Sequence, residues 1–367
     1  MKKILQISKF YPPYYGGIED MVNSIVGVLK DDYEQQVICF NTGHKTMVDM
    51  VDGVTVTRVG IAGVVASQPI PTGYWFSLCR IIRTFRPDYI HVHLPNPLVC
   101  LLLLLVPLYG AKIVVHWHAD IIDNPLYWLC RGVEQSILRR AEHIITTSRE
   151  YAESSIPLRN HLQKVMILPS TIVENKLAMP AQADIEALRS RFGRKKIVLT
   201  VGRHVPYKGL PYLVEAAQYL SENVAVLIAG EGPDTPHLHQ LAKQQSNIHF
   251  LGRISNNDLS LYLHSADVFA FPSIDRREAF GLALAEALYC GAPAVTFAIQ
   301  GSGVNWVNQD KVTGIVVKEF SAKQYAEALN TLLNDDALRQ IYSRNAQTWV
   351  KENFLSDQID ALHKVYV

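Results

Sequence analysis

Little in this chain marks a secreted, metal-stapled or nucleic-acid-binding protein. Its 367 residues carry five cysteines (Cys39, Cys79, Cys100, Cys130 and Cys290), odd in number, scattered, and never paired as C-x-x-C. That excludes a disulfide framework and a cysteine zinc site, and reads as buried thiols in a reducing compartment. Charge of one sign is missing too. With 35 Lys+Arg against 34 Asp+Glu, no strongly basic domain is present and no nucleic-acid partner is expected. The longest apolar run, Leu98 to Val106, stops after nine residues at Pro107, whereas a spanning helix needs about 20. After Met1-Lys2-Lys3 the apolar stretch ends at Ser8, too short for a signal-peptide core. No G-x-x-x-x-G-K-[ST] and no D-x-D occurs. Gly230-x-Gly232 lacks a third glycine and runs into Pro233, which excludes a dinucleotide fingerprint. At 49% apolar and 19% charged residues, wholesale disorder is also excluded.

What is present is alternation. Short β-branched runs alternate with helix-length segments throughout, the signature of parallel β-α-β units. Strands are predicted at 3–8, 36–40, 54–59, 89–93, 113–116, 143–147 and 165–168, with helices near 18–30, 74–85, 98–108, 126–141 and 149–155. Pro169, Pro180 and the polar residues around them read as a linker. Lys195-Lys196-Ile197-Val198-Leu199-Thr200-Val201 then echoes Lys2-Lys3-Ile4-Leu5-Gln6-Ile7-Ser8, each run followed by a glycine loop. Further strands are predicted at 224–229, 248–251, 268–271, 294–297 and 314–317, with helices near 210–220, 258–265, 283–290, 322–333 and 337–350. Continuous apolar strands imply sheets covered on both faces. The length is about twice that of a single-core domain. The expectation is two doubly wound α/β domains facing across a cleft: residues 1–175, residues 176–352, and a C-terminal helix over 353–367 that crosses back to the first domain. In such sheets ligands bind beyond the strand C-termini.

The richest segment runs Arg276-Arg277-Glu278-Ala279-Phe280-Gly281-Leu282-Ala283-Leu284-Ala285-Glu286-Ala287. Its two glutamates lie eight apart. Were the stretch wholly helical they would sit about 12 Å apart along the axis and about 80° around it, the wrong spacing for sharing one proton but suited to two ends of an elongated ligand. Gly281 falls at the helix start, where free N–H groups favour an anion. An amphipathic helix with a solvated Glu286 has the same spacing, although the apolar neighbours of Glu286 argue for a partner. The second segment, Val201-Gly202-Arg203-His204-Val205-Pro206-Tyr207-Lys208-Gly209, delivers two cations from a strand end. Arg203 offers a fork matched to phosphate and Lys208 a point charge.

Gly202-Arg203…Lys208-Gly209 together with Glu278-x7-Glu286 resembles the retaining glycosyltransferases of family 4, with the GT-B fold. The likeness spans the chain and includes Pro12-Pro13-Tyr14-Tyr15-Gly16-Gly17, His116-Trp117-His118-Ala119-Asp120, Gly230-Glu231-Gly232-Pro233, and Ala266-Asp267 leading to Pro272-Ser273. Many members have Gly where Ala279 stands. The resemblance implies that Arg203 and Lys208 bind the donor diphosphate, Glu286 the ribose and Glu278 the sugar hydroxyls. It also implies that backbone around Gly281 and Leu282 meets the sugar-phosphate, that Arg253 and Ile254 face the base, and that Gly16 and Gly17 admit the diphosphate or acceptor. His118 is expected beside the transferred sugar. The catalytic set is then Glu278, His118, Arg203 and Lys208, and no cofactor is needed beyond the nucleoside-diphosphate sugar itself.

Two His-x-His pairs, His91/His93 and His116/His118, raise a metal site, since spacing two on a strand puts each pair on one face. No third ligand is evident nearby, so no metal is expected. The stretch 74–87 sets Trp75, Phe76, Leu78, Ile81, Ile82 and Phe85 beside Arg80, Arg83 and Arg86, a cationic stripe suited to an anionic membrane surface or to solvent. The expected protein is a cytoplasmic-side hexosyltransferase, peripheral to the membrane, that moves mannose from GDP-mannose to a glycan or lipid-linked glycan. A nucleotide-sugar 2-epimerase and a non-catalytic sugar-nucleotide scaffold remain as alternatives.

Overall fold

A computed structural model describes residues 1–14, 16–65, 68–122 and 127–367; Tyr15 and Leu126, which fall in a motif and a helix expected above, lie outside them. The chain divides into two units, Met1–Thr171 with Ser356–Val367, and Ile172–Leu355.

The first unit holds β1 (Lys2–Ile7), β2 (Tyr33–Phe40), β3 (Met47–Val51), β4 (Val54–Val59), the hairpin β5 (Ile61–Val65) and β6 (Gln68–Pro71), β7 (Tyr89–Leu94), β8 (Lys112–Trp117), β9 (Ala141–Thr146) and β10 (Val165–Ile167). Apart from the hairpin they form one sheet, ordered β10-β9-β8-β7-β1-β2-β4-β3, parallel throughout except that β3 runs antiparallel to β4. The edge strand β3 and the hairpin were not expected. Met47, Val48 and Met50 are exposed, so β3 has no buried face to print a pattern into the sequence.

The second unit holds β11 (Lys196–Val201), β12 (Val224–Ala229), β13 (Ile248–Gly252), β14 (Val268–Phe271), β15 (Ala294–Phe297) and β16 (Gly314–Val317), ordered β13-β12-β11-β14-β15-β16. All six are parallel. Its six strands give the 3-2-1-4-5-6 order of a Rossmann-like domain, with the order reversing between β11 and β14. Alternate residues of β11 serve opposite faces. Ile197 and Leu199 join Leu284, Leu288, Ala346 and Val350 in one core cluster, while Val198 joins Leu213, Val214, Leu329 and Leu332 in the other. Each face is thus covered by helices, as the uninterrupted apolar strands required.

Three sequence expectations are corrected. The stretch read as a linker contains the helix Gln182–Arg191, fixed to the second unit by Arg189, which donates to Ser265 O at 2.7 Å and Asp267 Oδ2 at 2.9 Å. The division falls at Thr171/Ile172, and the chain re-enters the first unit at Ser356, not at 353. The closing segment, Ser356–Lys364, is a 3-10 helix whose Ile359 and Leu362, with Val365 and Tyr366 beyond it, pack on Ile4, Met21, Ile25 and Leu29.

Tyr74–Phe85 forms as expected, but Tyr74, Leu78, Ile81, Ile82 and Phe85 are buried in its own unit. Arg80 and Arg83 face out beside an exposed Phe76, and the Arg86 guanidinium lies 4.2 Å from the centroid of the Tyr109 ring. The apolar face is spent on packing, so the helix does not pair a free apolar stripe with its arginines. The run from Leu98 is also only partly buried: in the helix Pro97–Leu105, Val99, Cys100 and Leu103 face the core and Leu101 and Leu105 are exposed. No helix among the described residues is long and apolar enough to cross a membrane.

Candidate active site

The C-terminal ends of β13, β12, β11 and β14 form a continuous rim in the second unit, because those strands are neighbours. Glycine lets the backbone close there. A Cβ on Gly230 (φ +117°) would lie 1.9 Å from Gly202 O, and one on Gly209 (φ +60°) would lie 2.1 Å from Pro272 O. The Gly202–Gly209 turn is therefore pressed between the loops after β12 and β14, and Ile274 N donating to Tyr207 O at 3.0 Å ties it further.

That closure brings Lys208 and Glu278 together. The Lys208 ammonium donates to Glu278 Oε2 as an ion pair, and Ser273 Oγ donates to the same oxygen at 3.1 Å. Both side chains are largely buried. Burial pulls the Lys208 ammonium toward neutrality, but Glu278 and Tyr207 outweigh it and hold its pKa above the ordinary lysine value. The Lys208 ammonium therefore stays charged at neutral pH. The Lys208 Nζ also sits 5.0 Å from the centroid of the Phe271 ring. Ser302 Oγ donates to Glu278 O and Gly303 N to Ala279 O at 2.9 Å, so the loop after β15 supports the glutamate from behind. Ser302 carried no signal in the sequence; Ser273 appeared only within the Pro272-Ser273 likeness.

Arg203 is exposed at the end of β11 and shares a narrow pocket with Thr200, Gly202, Lys208, Phe271 and Ser273. Gly281 (φ +91°) precedes the helix Leu282–Tyr289 with no capping side chain, so the first N–H groups of that helix are open to an anion. Glu286 is half-buried in its second turn, while Glu278 stays in the loop, so the pair is not carried on a single helix. Arg253 and Ile254 follow β13, and Gly230 N donates to Gly252 O at 2.8 Å, which sets them beside Gly230-Glu231-Gly232. The structure thus brings Arg203, Lys208, Glu278 and Gly281 together at the strand-order reversal, while Arg253 and Ile254 follow the edge strand β13 and Glu286 lies within the helix Leu282–Tyr289.

In the first unit Gly16 precedes the helix Gly17–Leu29 with φ −176°, an extended geometry open to any residue. The missing side chain at Gly16 also clears space within the fold: a Cβ there would meet Glu19 Oε2 at 2.5 Å. Glu19, which the sequence reading passed over, is buried, and burial raises its pKa. His118 follows β8, its N–H donating to Leu94 O at 3.0 Å. Beyond it Asp120 accepts from Trp117 Nε1 and from Ser155 Oγ, each at 2.8 Å.

The two His-x-His pairs lie on adjacent strands, with His93 opposite His116. The expectation that no third ligand stands near is corrected: nitrogens of His91, His93 and His116 lie within 4.8 Å of one another. Yet His93 has both nitrogens engaged, Nδ1 with His118 Nε2 at 3.0 Å and Nε2 with Gln6 Oε1 at 3.3 Å. The cluster can take a metal only by breaking one of those bonds. Burial lowers the pKa of all four histidines, of His91 and His118 to about 3, so the stack is neutral at physiological pH.

This architecture has close counterparts. The family described as "Glycosyl transferases group 1" matches residues 183–349, and "Glycosyl transferase 4-like domain" matches residues 16–170. The O-antigen chain mannosyltransferase C of Escherichia coli is 28% identical over 99% of this chain and 98% of its own. The D-rhamnosyltransferase WbpZ of Pseudomonas aeruginosa is 29% identical over 78% and 75%. Among solved structures, sucrose-phosphate synthase of Thermosynechococcus elongatus superposes with a TM-score of 0.79 at 19% identity, covering 100% of this chain and 98% of that one. HepE of Anabaena, in complex with UDP and glucose, gives 0.77 at 19% identity, covering 100% and 99%. With both halves matched and two Rossmann-like sheets in place, the chain belongs to the family 4 glycosyltransferases of the GT-B fold.

Proposed function

We propose that this glycosyltransferase is a retaining, metal-independent hexosyltransferase that moves mannose from GDP-mannose to a glycan or lipid-linked glycan in surface polysaccharide biosynthesis. The observation that carries the reading is the buried Lys208–Glu278 pair beside Arg203 at the strand-order reversal. Likeness over nearly full length to an O-antigen mannosyltransferase supports mannose and the pathway. Arg203, Lys208 and the N–H groups after Gly281 stabilise the departing diphosphate, whose charge grows as the glycosidic bond breaks. Glu278, held in place by Lys208, accepts from sugar hydroxyls, Glu286 grips the ribose, and the backbone at Arg253 and Ile254 meets the base. His118 and the Gly16–Gly17 segment serve the transferred sugar and the acceptor. In this reading the acceptor attacks the face the diphosphate leaves, and the leaving phosphate takes its proton. Two fixed cations take the neutralising role a divalent ion fills elsewhere.

Release of nucleotide from a panel of labelled nucleotide sugars, with and without acceptor, tests this. Acceptor-dependent release greatest with GDP-mannose, in the presence of a chelator and with retained anomeric configuration by NMR, is expected. Conversion of free sugar nucleotide marks an epimerase, and binding without turnover marks a scaffold; either result ends the reading.

We also propose a peripheral, cytoplasmic-face membrane contact, now resting on Arg80, Arg83 and the exposed Phe76. Flotation with anionic liposomes tests it. No binding by the wild type, or equal binding by the Arg80→Ala/Arg83→Ala variant, removes the idea.

A further inference from the structure

His118 ends a chain of buried polar groups whose direction is fixed at its far end. Val26 O is a backbone carbonyl and can only accept, and Gln35 Nε2 donates to it at 2.9 Å. Gln35 therefore presents its oxygen at the other end, which receives Gln6 Nε2 at 3.2 Å. Gln6 in turn presents Oε1 to His93 Nε2 at 3.3 Å. His93 must then carry its proton on Nε2 and leave Nδ1 as an acceptor. The partner of that lone pair is His118 Nε2, at 3.0 Å, which must carry the His118 proton. The remaining His118 nitrogen, Nδ1, is left bare. Gln6, Gln35 and His93 are all buried, so no bulk water competes for these bonds. Stacking fixes the ring plane as well: the His116 and His118 centroids lie 4.2 Å apart with planes inclined by 7°.

We propose that Gln35, Gln6 and His93 are positioning residues, a relay that holds His118 as the Nε2–H tautomer so that Nδ1 accepts a hydrogen bond from a sugar hydroxyl. The substrate role of His118 rests on the function proposed above; the tautomer does not. The relay makes His118 an acceptor and not an acid. It also gives a physical role to two buried glutamines on β1 and β2 that a purely apolar sheet face would not contain.

Two-bond proton–nitrogen correlation spectra of protein labelled with 15N-histidine test the relay directly, with His118 identified by its loss in His118→Ala. The wild type is expected to show His118 protonated on Nε2 alone. Gln6→Met removes the acceptor for His93, and is expected to mix the His118 tautomers and lower kcat by roughly 10- to 100-fold, the range typical when the partner that orients a metal-bound histidine is lost, with KM for donor nearly unchanged. A His118 proton on Nδ1 in the wild type overturns the relay, and so does a single unchanged tautomer with full kcat in Gln6→Met. Full turnover in His118→Ala removes the substrate role alone, and the wild-type spectrum still decides the relay if Gln6→Met does not fold.

Discussion

Lys208 and Glu278 act as a unit, and the consequences of cutting either differ from those of cutting both. Removing one partner of a largely buried pair strands the other charge, a loss of about 3 kcal/mol. Lys208→Ala and Glu278→Gln should therefore each melt well below wild type. The double variant Lys208→Ala/Glu278→Ala should recover much of that stability. Turnover behaves otherwise: all three variants should fall about 100-fold or more, because Lys208 serves the departing charge and Glu278 the sugar hydroxyls, and each variant lacks at least one of them. Thermal denaturation beside nucleotide-release rates checks this, and recovery of rate along with stability in the double variant contradicts it. Arg203→Ala, an exposed change, should lose turnover with little change in Tm. The sequence disclosed both cations and both glutamates, but not that Lys208 and Glu278 meet. They are 70 residues apart, and only the pairing of β11 with β14 brings their loops together. Ser302 and Glu19 were illegible for the same reason: their partners are set by folding and not by spacing.

At the scale of elements, the loops that carry the site depend on backbone contacts that side chains would block. Gly230→Ala puts a Cβ 1.9 Å from Gly202 O at φ +117°, so the turn bearing Arg203 must move. A marked drop in Tm and loss of turnover are expected. Gly252→Ala makes a control on the neighbouring strand. Its φ is +64°, and the nearest atom a Cβ would meet is Glu231 Oε1 at 3.5 Å, so the cost is the left-handed conformation alone, about 1 kcal/mol, with turnover largely kept. Melting curves and rates for the two variants decide whether close approach or backbone conformation governs this rim. The buried parallel strands were legible because continuous apolar runs announce them. The edge strand β3, the hairpin and the helix Gln182–Arg191 were not. β3 lies exposed, the hairpin is interrupted by Gly63, Pro69 and Pro71, and the helix is polar with only Ile185 and Leu188 buried.

At the scale of the molecule, the histidine stack gives the first unit its own response to acid. In the fold His91 and His118 have pKa values of about 3, below the ordinary value near 6.5, because burial opposes the charged ring. The unfolded chain therefore binds more protons as pH falls. The stabilisation is complete above about 6.5 and is lost progressively toward 3, by up to about 1.4 kcal/mol per histidine for each pH unit in that window. Burial also lowers His204 and His249 in the second unit, and Glu134 in the first, raised by burial to about 7, acts in the opposite sense near neutrality. Hydrogen exchange corrected for intrinsic rates should therefore show β7 and β8 losing more protection than β11 and β12 between about pH 6 and 4; equal loss in both contradicts the assignment. Deleting 356–367 should unfold the same unit selectively, since it strips Ile359, Leu362, Val365 and Tyr366 from the core. The return of this tail was expected from its helical look, but its 3-10 form was not. That the second unit holds a donor diphosphate through Arg203 and Lys208 is measured most directly by calorimetric titration of GDP against guanosine. The expected result is that GDP binds the wild type at least about tenfold, or 1.4 kcal/mol, more tightly than it binds Arg203→Ala or Lys208→Ala, while guanosine binds all three alike. Equal GDP affinity in the three proteins would contradict it.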